Sequence, residues 1–201
     1  MKNMFDYLEW RGDLDFTQDK LNEVDNLIFS VLSYLEFEDM VPFEAVEQKV
    51  LLSKTAEHLN KTKLKSTAFY GNPFFTQMPD LLQKAAQTRR FGNVELSFYI
   101  NQIDHENPNQ FSALVFSLDR EHHYIAFRGT DDTIAGWKED FQMSFMNAVP
   151  AQKQAAAYVN NVIPKLTGAI YVGGHSKGGN LAVYAAAHAE KSNKSRITAV
   201  Y

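Results

Sequence analysis

No cysteine occurs among the 201 residues. That absence excludes disulfides, thiolate metal sites and a cysteine nucleophile together, and it fits a reducing compartment. No apolar run reaches the ~18 residues of a spanning helix, so no stable membrane insertion is expected. The opening MKNMFDYLEWRGDLDF carries acids from Asp6 onward and lacks the apolar run of a signal peptide. A soluble, cytoplasmic protein is the expectation. Basic runs are missing too. With a formal net charge of −4, nothing attracts a phosphate backbone, and nucleic acid is set aside as a partner. His122 and His123 lack metal-ligand spacing to His105 or to a carboxylate pair, so no metal and no other cofactor is expected. There is no internal repeat and no low-complexity linker.

What is present has an ordinary globular balance. Apolar residues make up 45% and charged residues 22%, sufficient for one domain with a real core. Val24, Leu27, Ile28, Val31, Leu32 and Leu35 recur at helical spacing, predicting a helix from Asn22 to Leu35 that ends by the Pro42 region. A more charged helical stretch follows over Glu44 to Leu59, then an ordered loop from Asn60 to Met78. A short helix after Pro79 runs towards Arg89. Val94, Leu96, Phe98 and Ile100 then alternate with polar residues, the period of a half-buried strand. His105 to Asn109 reads as a turn, Phe111 to Leu118 as a strand, Asp119 to His122 as a turn and Tyr124 to Phe127 as a strand. Helices are expected around Ile134 to Phe145, Ala151 to Ile163 and Asn180 to Ala189. Strands are expected at Ala169 to Val172 and from Ile197.

This order predicts a single α/β domain over 1–201. Residues 1–90 form a mainly helical region, and residues 91–201 form the sheet core. The fold class is an α/β-hydrolase-type mixed, mostly parallel sheet flanked by helices, with its first strands antiparallel.

Gly174-His175-Ser176-Lys177-Gly178 matches the G-x-S-x-G nucleophile elbow and stands between an apolar strand and a helix. The chemistry accounts for the glycines. The serine must occupy a sharp, strained turn so that its hydroxyl projects above the sheet edge, and bulk at Gly174 or Gly178 would collide with neighbouring backbone. The main-chain amide of Lys177, at the start of the following helix, would stabilise a developing oxyanion. A second donor should come from a loop after an earlier strand. Thr130, in Phe127-Arg128-Gly129-Thr130-Asp131-Asp132, can offer its amide while a nearby acid holds its hydroxyl. Read alone, that segment is equally an ordinary connection capped by Asp131 or Asp132.

Together, YIAFRGTDDTIAGWKEDF and YVGGHSKGGNLAVYAA resemble the paired signatures of class 3 (fungal-type) lipases: an arginine–glycine–serine/threonine oxyanion segment, a tryptophan–x–x–aspartate step and a GHSxGG elbow. With FDYLEWRGDLDF and NEVDNLIFSVLSYLEF added, nearly the whole chain is similar to an uncharacterised bacterial family of lipase-like hydrolases. The resemblance implies Ser176 as nucleophile, Lys177 and Thr130 as oxyanion-hole donors, Gly174 and Gly178 as elbow glycines, and Asp140 as the acid steadying the oxyanion residue. It implies hydrolysis of a small-molecule ester or acyl lipid through an acyl-enzyme. A catalytically inactive binding protein, or an acyltransferase or thioesterase on the same elbow, are the alternatives.

In such folds the acid and then the histidine follow the serine. The residues after Ser176 contain no aspartate, and His188 with Glu190 lies on the helix leaving the elbow. The expectation is therefore a piece of a longer hydrolase whose C-terminal part holds both partners. Other features read as structural. Arg11-Gly12-Asp13 is a loop, one of His122 and His123 faces solvent, and His175 packs beneath the elbow. The Lys177 side chain is structural or at the surface. Phe69, Tyr70, Phe74 and Phe75 are core, with an acyl pocket or lid as the other reading. Glu36, Glu38 and Asp39 form a solvated helix end.

Overall fold

A computed structural model describes residues 2–43, 49–62, 76–104, 109–130 and 134–201. The aromatic cluster at 69–75, the expected turn at His105 and the acids Asp131 and Asp132 lie outside them.

The N-terminal layer is built from α1 (Met4–Arg11), α2 (Glu23–Leu32), α3 (Leu52–Thr62), α4 (Met78–Ala86) and α5 (Arg89–Gly92). Both leading helices begin on an asparagine whose side chain takes two orphan amides, while an aspartate three residues later returns to the asparagine amide. The reciprocal pairs are Asn3 with Asp6 and Asn22 with Asp25. Helix α2 starts where its spacing predicts and stops at Leu32, well before Pro42. Arg11 belongs to α1 and pairs with Asp19, while the carbonyl of Gly12 receives the Arg90 amide. The expected loop there is a helix end tied into the fold. The charged stretch near 44–59 contains the short strand β1 (Val50–Leu51) before α3 begins.

The sheet continues with β2 (Glu95–Asp104), β3 (Asn109–Ser117), β4 (His122–Phe127), β5 (Ala169–Gly174) and β6 (Ile197–Val200), in spatial order β1 to β6. Pairings β1–β2, β2–β3 and β3–β4 are antiparallel, and β4–β5 and β5–β6 are parallel. The described sheet is thus an open, mostly antiparallel one, which corrects the expected parallel majority. The reason is connection length. A tight turn joins β3 to β4 and forces reversal, whereas only the helical crossovers after β4 and β5 can return the chain in the same direction. Those crossovers hold α6 (Ile134–Gln142), α7 (Pro150–Val162) and α8 (Lys177–His188), with a short α9 (Lys191–Lys194) before β6.

Alternation sorts the strands between two cores. Leu114, Phe116, Tyr124 and Ala126 join the N-terminal helices on one face. Phe111, Ala113, Val115, Ile125, Phe127, Ile170 and Val172 meet α7 and α8 on the other. Strand β2 departs from its predicted alternation. An extra residue between Ser97 and Ile100 makes a bulge, Phe98 takes φ 54, and Tyr99 turns to the N-terminal face while Phe98 and Ile100 share the other. The Tyr158 hydroxyl donates to the Phe98 carbonyl at 2.7 Å, holding a backbone conformation that bulky residues avoid.

Arg90 locks the N-terminal layer together. Its side chain is fully buried, meets Asp25 through two nitrogens and donates to the carbonyls of Leu14, Asp19 and Lys20. Tyr7 donates to the same aspartate, and its burial pushes its own phenol up to about 12. No helix among the described residues is long and apolar enough to cross a membrane.

Candidate active site

Strand β5 ends at Gly174 and α8 begins at Lys177, leaving two residues for a reversal of direction. Ser176 bears the bend, with φ 58 and ψ −122. An L-residue takes that conformation only when its surroundings hold it there. Its side chain is exposed. The glycines follow from crowding: a Cβ on Gly174 or Gly178 would strike the Phe127 carbonyl oxygen. The parallel register sets Phe127 beside Gly174, so the residues leaving β4 run directly past the elbow. Gly129 lies against the His175 carbonyl and the Tyr34 hydroxyl, again without room for a Cβ.

Thr130 follows immediately. Its hydroxyl donates to Asp140 Oδ2 at 2.5 Å, the pairing expected from sequence. Asp140 reaches Thr130 because α6 turns back over the start of β3. Ser176, Lys177, Gly174, Gly178, Thr130 and Asp140 are therefore gathered at the C-terminal ends of β4 and β5, where parallel strands present their loops.

His175 Nδ1 meets the Tyr34 hydroxyl at 3.1 Å, and burial holds its imidazole below the usual histidine range. It packs under the elbow as predicted. His188 bonds the carbonyl of Tyr184 on its own helix and stacks on the Tyr184 ring. It stands eleven residues from Lys177, about 16 Å along α8.

Two site residues were not foreseen. Lys177 sends its side chain inward, where it is 1% exposed, to pair with Glu139 at 2.9 Å; that carboxylate is 0% exposed. Lys177 Nζ also donates to the carbonyl oxygen and Oε1 of Gln110. Glu139 hides between Lys138 and Asp140, where an acid reads as solvated, and its partner is far along the chain. Helix α6 turns its aromatic side chains outward. It buries Gly136 and Glu139 while exposing Trp137 (65%) and Phe141 (74%), and Phe145 beyond its end is 67% exposed. The glycine before an apolar pair was the available signal.

Among the described residues, no group of three His, Cys, Asp or Glu side chains could hold a metal ion. The model of the Mbeg1-like family matches residues 85–201, covering the sheet from β2 onward and every residue of the site. No curated protein and no solved structure matches the chain.

Proposed function

We infer that this chain, which belongs to the Mbeg1-like family, a lipase-like one, is a serine hydrolase of carboxylic esters acting through Ser176. One observation carries the reading: an exposed serine in strained backbone, at a strand-to-helix bend, beside a loop from the neighbouring parallel strand. Ser176 Oγ attacks the ester carbonyl carbon, and the C=O electron pair moves onto oxygen. The amides of Lys177 and Thr130 receive that oxyanion, with the positive end of α8 adding to the field. Collapse expels the alcohol, which carries away the proton that the Ser176 hydroxyl gave up on attack, and leaves an acyl-Ser176; water then adds to the acyl carbon, releasing the carboxylic acid and restoring the hydroxyl. No cofactor enters the reaction.

Acyl lipids are the substrate class this reading favours. Trp137, Phe141 and Phe145 stand one helical face apart and exposed, on and just beyond the helix whose Asp140 holds Thr130. An apolar stripe of that kind suits an acyl chain better than a polar substrate. A second reading, a binding protein on the same scaffold, draws support from His175 and His188, since both are engaged elsewhere. A serine without a base is a weak nucleophile.

A fluorophosphonate probe separates them. Stoichiometric labelling that Ser176→Ala abolishes, together with turnover of p-nitrophenyl esters, is the expected result. A folded protein that neither labels nor turns over ester is the binding protein. Added alcohol as acyl acceptor then distinguishes hydrolysis from acyl transfer.

A further inference from the structure

We propose that Lys177, Glu139 and Gln110 are positioning residues, a buried bridge that fixes the separation of the two main-chain donors of the oxyanion hole. The proposal rests on the serine-hydrolase reading for its catalytic meaning, though not for its geometry.

The Lys177 amide is one donor, and the Lys177 side chain is where the bridge starts. An ammonium has three hydrogens, and three acceptors surround Nζ: the Gln110 carbonyl at 2.9 Å, Gln110 Oε1 at 3.0 Å and Glu139 Oε2 at 2.9 Å. Two routes lead onward to the other donor. In the first, Gln110 Nε2 reaches the carbonyl of Gly129 at 3.4 Å, the residue before Thr130. In the second, Glu139 is the chain neighbour of Asp140, which receives the Thr130 hydroxyl. The Glu139 carboxylate is itself held. Oε2 also accepts from the Gln110 amide at 3.1 Å, and Oε1 accepts from the Ala151 amide at 2.9 Å, in the first turn of α7. The elbow, the start of β3, α6, α7 and the loop after β4 thus meet at one ion pair.

Stability alone does not call for this arrangement. Taking both charges out of water is costly, and well-packed apolar side chains of similar volume commonly serve a core as well or better. An ion pair adds direction. Its hydrogen bonds hold atoms at set distances and angles, which dispersion contacts do not. Oxyanion donors need that, because a misplacement of about 1 Å costs on the order of a hundredfold in rate. The bridge also fixes which face of α6 looks inward, and so holds Trp137 and Phe141 outward.

Because removing one partner strands a buried charge, the test replaces both: Lys177→Met with Glu139→Met in the full chain. The double variant should still melt cooperatively, below wild type because the Gln110 and Ala151 amides lose their acceptor. With p-nitrophenyl butyrate its kcat should fall about a hundredfold while KM changes less than about threefold. Amide hydrogen exchange across 129–142 should rise about tenfold or more. Gln110→Met, which leaves the ion pair in place, should show the same pattern at about a tenfold loss of kcat, and it decides the matter if the double variant does not fold. A folded variant with wild-type kcat overturns the bridge, as does unchanged exchange across 129–142. If wild type neither labels at Ser176 nor turns over ester, the hydrolase reading fails, and the exchange data alone decide whether the bridge holds the two segments together.

Discussion

At Ser176 the backbone does what the hydroxyl needs. The strained bend is affordable only because Gly174 and Gly178 let the Phe127 carbonyl approach closely. Gly178→Ala should destabilise the protein by about 1–3 kcal/mol, read as a lowered urea midpoint, and labelling of Ser176 should fall with it. At Thr130 the side chain matters through its bond to Asp140. Thr130→Val keeps the amide and loses only that tether, so kcat should drop about tenfold with KM unchanged, less than the hundredfold or more typical of deleting a donor outright. The elbow was legible because G-x-S-x-G between a strand and a helix places it by local geometry, whereas Thr130 and Asp140 were singled out only by the resemblance to the lipase signatures. Gln110 and Glu139 were not legible. A glutamine opening a strand and a glutamate on a helix are ordinary surface residues until a lysine 38 positions beyond Glu139 folds back onto them.

Among the elements, those with a clear period were the ones read correctly. Helices α2, α4, α7 and α8 and strands β3 to β5 lie close to their predicted spans. One misreading and one unforeseen orientation have definite physical causes. In β2 one inserted residue breaks the alternation, so Leu96 and Phe98 face opposite cores, and spacing cannot announce a bulge. In α6 the apolar pair Trp137 and Phe141 faces out because Glu139 is held in by the lysine. The N-terminal helices pose a further question of cohesion, answered by Arg90 and Asp25, both fully buried. Removing Asp25 leaves the buried Arg90 charge against Phe16 and four carbonyls, with Asp19 at 4.0 Å the nearest remaining carboxylate. Asp25→Leu should therefore cost about 3–5 kcal/mol and loosen α1 and α2 first. Calorimetry gives the first quantity. Proteolysis before global unfolding, with cuts between Leu14 and Asn22, tests the second, and equal protection in variant and wild type would contradict it.

Over the whole molecule, most of the helices described before residue 90 and the strand–helix–strand order after it were legible in outline. The antiparallel majority was not, since β1 lies in a stretch that reads as helix, and its pairing with β2 adds a third antiparallel ladder to the two that the predicted turns imply. The sheet so formed buries a titratable group at its centre. His123, in β4, is 2% exposed and meets Ser117 Oγ across the β3–β4 pairing at 2.8 Å. Burial, aided by the charge of Lys49, lowers its imidazole to about 4 from the usual 6.5. Above pH 6.5 the ring is neutral in both folded and unfolded chains, and pH has no hold on stability through it. Between 6.5 and 4 the unfolded chain binds a proton that the native sheet refuses, so stability falls as pH falls, and below 4 both states are protonated. The full loss is on the order of 3 kcal/mol. Urea midpoints at pH 7, 6, 5 and 4.5 should therefore decline in wild type. His123→Gln, which has no charge to gain, should start below wild type at pH 7 through lost packing. The gap should close and then reverse towards pH 4.5. Parallel declines in the two proteins would place the acid sensitivity elsewhere in the molecule.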